Sequence, residues 1–200
     1  MRIYRLAKAQ FGDRDKRAFS RALTLSSLEQ PSAGWVVKGD LSYRIGVVDR
    51  PQSAMEESAF LAGEFYTHRL FRKLGTSEQV NVSVRTLVNN EDAESLVGEF
   101  TGRFARISNK YHLLTTVSKV DVETTPPHWT AARATGPLFF EQSRVGLRGR
   151  VRVRYIISSV DNILFTVACS RPKNTWSWEE AMDVASSQAS LIQTELDAPR

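Results

Sequence analysis

The sequence is poor in cysteine and has no long apolar run. Its single cysteine, Cys169, excludes an internal disulfide and every zinc motif built from several cysteines. No stretch of about 18 apolar residues could form a spanning helix, and the first residues lack the apolar segment of a secretory signal. These absences predict a cytoplasmic protein that is held together by its core.

The chain also lacks the short sequence motifs that are characteristic of common enzyme classes. It has no phosphate-binding Walker loop, no glycine-rich dinucleotide fingerprint and no nucleophile elbow. Its three histidines, His68, His112 and His128, form no metal-binding pair four residues apart. Cys169 falls on the apolar side of a predicted strand, which indicates a buried and inert thiol. We therefore expect no cofactor, no metal and no catalysis. An enzyme assembled from distant residues around His128 is the alternative.

The chain carries a moderate excess of positive charge. Lys and Arg number 27 against 22 Asp and Glu, which gives a net charge of +5. An excess of this size is compatible with anionic partners but does not require them. With 200 residues and 42% hydrophobic content, the chain is long enough to bury a core as one domain.

Residues 144–192 carry the clearest structural pattern, which predicts two strands and a helix. Between residues 145 and 157 the odd positions are largely apolar, whereas arginine recurs at even positions. Because strand side chains alternate between faces, this strand has an apolar side and a cationic side. Asp161-Asn162 then predicts a turn, and apolar residues alternate again from Ile163 to Cys169. The two runs predict an antiparallel hairpin, in which Gly146 and Gly149 mark a bulge.

A helix is predicted directly after this hairpin. Ser177 and Glu180 have the spacing of a capping box. Apolar residues at helical spacing follow on one side, at Trp178, Ala181, Met182, Ala185, Ala189, Ile192 and Leu196. We expect this side to cover the apolar side of the hairpin.

The earlier part of the chain is predicted to add further strands and helices to one sheet. Residues 1–19 are interpreted as a short helix or an extended arm, and residues 20–196 as a single α+β domain. Further strands are predicted at residues 22–28, 35–47 (two strands, or one bent at residues 38–40), 80–88, 114–122, 129–135 and from 138. Helices are predicted at residues 53–74, ending at Gly75, and at residues 93–107. Short connections between the strands favour a mainly antiparallel sheet.

The pattern resembles the PsbP/Mog superfamily, which includes PsbP, LpqN-type and DcrB-like proteins. The resemblance rests on three stretches: Pro31-Ser32-Ala33-Gly34-Trp35, the weak strand with a small-residue patch at Trp129-Thr130-Ala131-Ala132, and the strand, tight turn, strand and helix of residues 155–192. It implies an α/β/α sandwich around an antiparallel sheet, and a binding or scaffolding role. Exported members carry a signal or lipobox that this sequence lacks. The resemblance therefore implies a cytoplasmic adaptor or chaperone of the bacterial DcrB-like kind.

The candidate binding residues are a row of arginines and one tryptophan. Arg148, Arg150, Arg152 and Arg154 would stand about 7 Å apart along one side of a strand. Such a row suits an acidic protein segment, a phosphate or a nucleic acid. The alternative is a solvated face, or one paired with acids such as Glu141 or Glu123. Trp176 lies off the helical stripe. It is interpreted either as an exposed protein contact or as a cap packed on the sheet edge.

These observations lead to a ranked set of functions. The first is a non-catalytic protein-binding module, which acts as an adaptor, chaperone or assembly subunit. Its partner would be another protein with an acidic segment, or a second copy of the chain. The second is an anion or nucleic-acid binder that uses the arginine row, although aromatic residues do not interleave with the arginines. The third is an enzyme of unidentified type.

Overall fold

The structure is a computed structural model that describes residues 13–28, 33–44, 63–87, 115–122, 137–146, 149–172 and 176–198. Two helices and seven strands lie within these ranges. The helices are α1 (Asp13–Ala22) and α2 (Trp178–Asp197). The strands are β1 (Trp35–Arg44), β2 (Gly63–Lys73), β3 (Gln79–Leu87), β4 (Thr115–Val120), β5 (Leu138–Gly146), β6 (Gly149–Val160) and β7 (Ile163–Pro172).

The seven strands form one sheet in the order β1-β2-β3-β7-β6-β5-β4. Every pair of neighbours is antiparallel. The predicted α+β class with an antiparallel sheet is therefore confirmed. The last strand in sequence, β7, lies in the middle of the sheet, between β3 and β6.

Alternation along the strands gives the sheet two distinct faces. The side that carries Val82 and Val167, which are paired between β3 and β7, is called the first face. Both helices pack on this face, where Phe19 of α1 and Met182 of α2 belong to the same buried apolar cluster. The opposite side, which carries Ser83 of β3 and its partner Thr166 of β7, is called the second face. Both described helices therefore lie on one side of the sheet.

The second face is buried too, although its side chains are different. Phe140, Ile157 and Leu164 project from it and are each at most 1% exposed. Polar residues are buried beside them, and they include Ser83, Arg85, Gln142 and Thr166. Burial of a sheet on both sides is typical of a layered domain rather than of a sheet with one solvated face.

Helix α2 begins where its sequence predicts, and its predicted apolar stripe faces the core. The Ser177 hydroxyl accepts a hydrogen bond from the Glu180 amide, and the Glu180 carboxylate accepts one from the Ser177 amide, which completes the capping box. The predicted stripe is also found: its residues are buried or pack against the core, at Trp178, Ala181, Met182, Ala185, Ala189, Ile192 and Leu196.

The hairpin of β6 and β7 is confirmed, but the side of β6 that the helix covers is not the predicted one. Asp161 has a positive φ of 49° in the turn, and Val160 pairs with Ile163 across it. This short turn places odd residues of β6 beside even residues of β7, as in the pair Ile157 and Thr166. Helix α2 consequently packs on the Ile156 side, and the expectation that it covers the odd-numbered side of β6 is wrong.

Two predictions for the first half of the chain are wrong. No strand forms over residues 22–28, because α1 ends at Ala22 and an irregular segment follows it. The boundary expected at residue 19 falls inside α1. Residues 63–73 form strand β2 rather than the end of a helix. Gly75 has a φ of +73°, but it lies in the turn between β2 and β3 instead of ending a helix.

The remaining predictions divide between confirmed strands and residues that the structure does not describe. Strand β1 is a single strand with an irregularity between Val37 and Gly39, near the predicted bend. Strands β3, β4 and β5 match three predicted strands. Gly146 pairs with Gly149 at the end of the β5–β6 hairpin, so the predicted bulge is wrong. The helix at 93–107, the strand at 129–135, His112 and His128 lie outside the described residues.

Candidate functional site: an arginine cluster at the start of helix α2

The sheet register places the arginines of β6 on the first face. Arg154 pairs with Cys169, and Arg152 pairs with Arg171 of β7. The three arginines meet three acids near the first turn of α2. This arginine cluster consists of Arg152, Arg154, Arg171, Glu78, Glu141 and Glu180.

Arg154 is the inner member of the cluster. Its guanidinium carbon lies 4.5 Å from the ring centroid of Trp178, the first residue of α2. Its Nε is 3.7 Å from Oε2 of Glu141, and the side chain is only 16% exposed. Burial lowers the pKa of Arg154, and the charge of Glu141 opposes that effect. The ring and the carboxylate hold this guanidinium in place, so it packs the start of α2 against the sheet.

Arg152 is the outer member of the row. Its side chain is 49% exposed, and its Nε is 3.9 Å from Oε1 of Glu141. The exposure of the arginines therefore rises along β6 with distance from Trp178. Arg152 keeps a donor group in contact with solvent while Arg154 fixes the acid that they share.

Arg171 ties the cluster to the beginning of α2 and to β3. Its Nη2 donates to Glu180 at 3.2 Å, and its Nε lies 3.3 Å from Glu78. Burial acts to raise the pKa of Glu180. Hydrogen bonds from Ser177 and Arg171 outweigh that effect, so the pKa lies below its ordinary value. Glu180 is thus both the capping residue of α2 and a partner of Arg171.

The other two predicted arginines are less fully placed. Arg150 pairs with Val145 in the β5–β6 ladder, and its side chain is not described. Arg148 lies outside the described residues. The pairing of Arg152 and Arg154 with Glu141 corresponds to the alternative in which the row is neutralised by a neighbouring strand.

Trp176 is buried, so the interpretation of an exposed protein contact is wrong. It is 1% exposed. Its ring centroid lies 5.8 Å from that of Trp35, and the guanidinium of Arg171 lies 5.1 Å from the same ring. The large ring gains more from packing between β1 and the start of α2 than it would in water. This arrangement is the predicted alternative, a cap on the sheet.

Cys169 and His68 stand apart from each other and from any metal-binding group. Cys169 is buried, and burial raises the pKa of its thiol, so the sulfur stays protonated and inert. His68 on β2 is half-buried, and its Nε2 lies 3.1 Å from Oδ1 of Asn81. Burial lowers the pKa of His68. In the described part of the chain, no three His, Cys, Asp or Glu side chains come close enough to hold a metal ion.

Sequence reasoning missed Glu78, Glu180 and Arg171 as members of the cluster. The position of Arg171 could have been predicted from the turn, because a short connection at Asp161-Asn162 fixes the register of the whole hairpin. That register places Arg171 opposite Arg152. The acids could not be found in this way, since Glu78 reaches the cluster only through the pairing of β3 with β7.

No family model matches the sequence, and no curated protein matches it. The extracellular domain of PknH from Mycobacterium tuberculosis has a similar structure. It has a TM-score of 0.59 and 12% identity, and the match covers 91% of this chain and 97% of that domain. An uncharacterised protein from Mycobacterium smegmatis, an ortholog of Rv0999, has a TM-score of 0.42 and 8% identity over 94% of each chain. At these identities the likeness to PknH concerns the fold.

The comparison corrects the expected location. The similar domain of PknH is extracellular, which contradicts the prediction of a cytoplasmic protein. That prediction came from the lack of an apolar run in the first residues. None of the helices in the described ranges is long and apolar enough to cross a membrane.

Proposed function

We propose that the chain is a non-catalytic protein-binding module that works outside the cytoplasm and docks an acidic segment of another protein beside Arg152. The observation that carries this proposal is the rise in side-chain exposure from 16% at Arg154 to 49% at Arg152. Arg154 lies against Trp178, the first residue of α2, and Arg152 lies farther along β6. The inner arginine of the row is fixed by Trp178, and its outer arginine faces solvent.

The chemistry of the cluster suits a carboxylate partner. A guanidinium donates two parallel hydrogen bonds to a carboxylate, and such charge-assisted bonds are among the stronger polar contacts in proteins. Glu141 lies 3.9 Å from the Nε of Arg152, which is too long for a hydrogen bond, so an incoming carboxylate competes with a weak contact. Arg171 lies opposite Arg152 on the neighbouring strand, but its charge is already met by Glu78 and Glu180.

A protein partner is favoured over a single-stranded nucleic acid. Stacking on bare aromatic rings supplies much of the affinity for single strands. The ring nearest to the arginines, Trp178, is already in contact with the Arg154 guanidinium and makes a T-shaped contact with Phe139, whose centroid is 5.4 Å away. Tyr155 belongs to the second face, where its hydroxyl donates to Gln142 at 2.7 Å.

We further propose that the fold is the α/β/α sandwich of the PsbP/Mog superfamily. The antiparallel sheet with a closing helix on its first face supports this assignment. The burial of Ile157 and Leu164 on the second face supports a further layer on that side. An experimental structure of the full chain tests it: helices on both faces are expected, and a second face without helices would refute the assignment.

The docking site is tested with a fluorescent oligoglutamate peptide and anisotropy titrations at low and high salt. We expect binding that weakens with salt and falls at least about ten-fold in Arg152→Glu, because a charge-assisted contact becomes a repulsion. Lys119→Glu, which reverses an exposed cation on β4, is the matched control and should leave the affinity unchanged. Equal losses of affinity in both variants would show that the peptide binds by non-specific charge attraction and not at Arg152. Tighter binding of single-stranded RNA than of the peptide would favour a nucleic-acid partner.

The location is tested separately in the cells that make the protein. A protease added to intact cells should digest a protein that lies outside the cytoplasm, whereas a cytoplasmic marker protein should survive. Digestion of both only after lysis would contradict the location without affecting the docking site.

A further inference from the structure

A second cationic site lies at the far corner of the sheet, where β1 runs beside the turn between β2 and β3. It is an open hollow of about 390 Å³, within the roughly 300–1,000 Å³ range of ligand sites. This corner hollow is lined by Val36, Lys38, Arg72, Lys73, Leu74, Gly75, Thr76 and Ser77. Sequence reasoning did not anticipate it, because residues 53–74 were interpreted as a helix.

The corner hollow is built from two local irregularities. The β1 register shifts between Val37 and Gly39, so Lys38 is the additional residue of a bulge. Bulges re-aim a side chain away from the regular alternation. The turn is closed by the Leu74 amide, which donates to the carbonyl of Gly34 at 2.8 Å, and by Gly75 at a φ of +73°. The backbone bonds therefore fix the position of the turn beside Lys38.

The positive charge of the corner hollow is not cancelled by the acids next to it in sequence. Asp40 follows Lys38 on β1, but its Oδ2 lies 3.2 Å from Arg69, its partner in the ladder. Glu78 follows the turn, but it lies 3.3 Å from Arg171 in the arginine cluster. No described lining residue is acidic. Lys38 and Arg72, both exposed, thus give this corner a net positive field.

An exposed apolar side chain stands at the edge of this field. Leu74 is 61% exposed and is one of two large apolar side chains that the described residues expose, the other being Val37 at 44%. A soluble phosphate compound would gain nothing from a protruding leucine. An anionic bilayer would, because its headgroups attract the cations while its interface accepts the apolar side chain.

We propose that the corner hollow is a peripheral membrane contact that takes the phosphate headgroup of an anionic phospholipid. Lys38 and Arg72 bind the phosphate oxygens, and Leu74 enters the interface beside them. Arg152, the proposed docking residue, lies on β6, whereas Lys38 and Arg72 lie on β1 and β2, so a protein partner and a lipid surface can be bound at the same time. The inference therefore stands whether or not the protein-docking function is correct.

Vesicle co-sedimentation tests the proposal on the full chain. Vesicles that mix phosphatidylglycerol with phosphatidylcholine should bind the protein in a salt-sensitive manner, and pure phosphatidylcholine should not. Each cation removed near an anionic surface should weaken partitioning about five-fold, so Lys38→Gln with Arg72→Gln should lose about 25-fold. Lys119→Gln is the matched control for Lys38→Gln alone, since it removes one exposed lysine charge elsewhere and should lose much less than five-fold.

Leu74→Ser separates a bilayer from a soluble phosphate as the ligand. The substitution should weaken vesicle binding and leave any binding of inorganic phosphate, measured by calorimetry, unchanged. Because all three side chains are exposed, the variants should unfold at the temperature of the parent, which circular dichroism checks. Binding of inorganic phosphate without binding of vesicles would overturn the lipid assignment. Equal losses in Lys38→Gln and Lys119→Gln would overturn the site itself.

Discussion

On strand β3 both faces of the sheet are buried, but by side chains of opposite chemistry. On β3 the first face carries Val80, Val82 and Val84, each with no exposed surface. The second face of the same strand carries Asn81, Ser83 and Arg85 in alternation with them. Ser83 and Arg85 are nevertheless buried, at 7% and 3% exposure. The comparison teaches that the polar half of an alternating strand need not be the solvated half.

The central strand β7 repeats the contrast. Phe165 and Val167 on the first face are fully buried. Thr166 and Ser170 on the second face are almost fully buried. Apolar contacts stabilise the first face in proportion to the area removed from water. Buried hydroxyl and guanidinium groups cost free energy unless each one is hydrogen-bonded. The first face should therefore contribute most of the stability, and the second face most of the specificity.

The largest expected effect on the free energy of unfolding comes from truncating one side chain on each face, at adjacent positions of β7. Phe165→Ala should lower the free energy of unfolding by about 3–5 kcal/mol, because it leaves a cavity in the first face. Thr166→Ala should lower it by roughly 1 kcal/mol, since a small side chain is lost. Urea denaturation of both variants measures the difference. Equal losses would mean that the two faces contribute alike to stability.

A second and smaller effect tests the polar contact that the first face does contain. The buried Gln188 of α2 donates from Nε2 to the carbonyl of Leu23 at 2.6 Å and accepts from the amide of Leu25 at 3.1 Å. Gln188→Met keeps the volume but leaves both backbone groups without these partners. We expect a loss of about 1–3 kcal/mol in the same urea measurement.

The control for this change is another glutamine on the same helix. Gln193 bonds to Asp197 at the surface, so Gln193→Met should cost well under 1 kcal/mol. If both variants lost the same stability, the effect would come from helix propensity and not from the link between α2 and the segment after α1.

The smallest effect concerns the pH response of the second face. Burial lowers the pKa of His68, so the folded state holds this proton less tightly than the unfolded state, where the pKa is about 6.5. Stability from this site is complete above about pH 6.5 and is lost as the pH falls below that value. His68→Gln should therefore lose less stability than the parent between pH 7.5 and 5.5. Thermal unfolding followed across this range checks it, and identical pH slopes would rule it out.

The elements predicted correctly are those in which local chemistry determines the structure. Asp161 adopts the positive φ that its residue type tolerates. Ser177 and Glu180 form the capping box that their spacing indicates. In both cases the deciding contacts lie within three residues of each other, so the sequence contains all the information needed.

Strand β2 shows why the rest could not be predicted. Thr67, Arg69 and Phe71 alternate onto the buried first face, but an arginine in the middle obscures the pattern. Arg69 is tolerated there because its Nη1 donates to the carbonyls of Thr24 and Leu25, at 2.9 and 2.6 Å. Those acceptors lie more than 40 residues away along the chain, and only the folded structure brings them to the guanidinium.

The candidate site was predicted in part for a similar reason. The identities of Arg152 and Arg154 and their common face follow from alternation alone. Which side of the sheet α2 covers depends on the register of the hairpin, and the burial of Trp176 depends on Trp35, which lies on the far edge strand. Long-range packing of this kind leaves no trace in the spacing of residues.

The central place of β7 has a consequence for synthesis. A ribosome delivers this strand after the other six strands that the structure describes, yet it joins β3 to β6 and so links the two parts of their sheet. Until residue 172 has emerged, the nascent polypeptide holds two incomplete sheets whose open edges can pair with other chains. Premature termination just before Ile163 should therefore yield insoluble fragments, because among the described strands only β7 joins the two parts of the sheet.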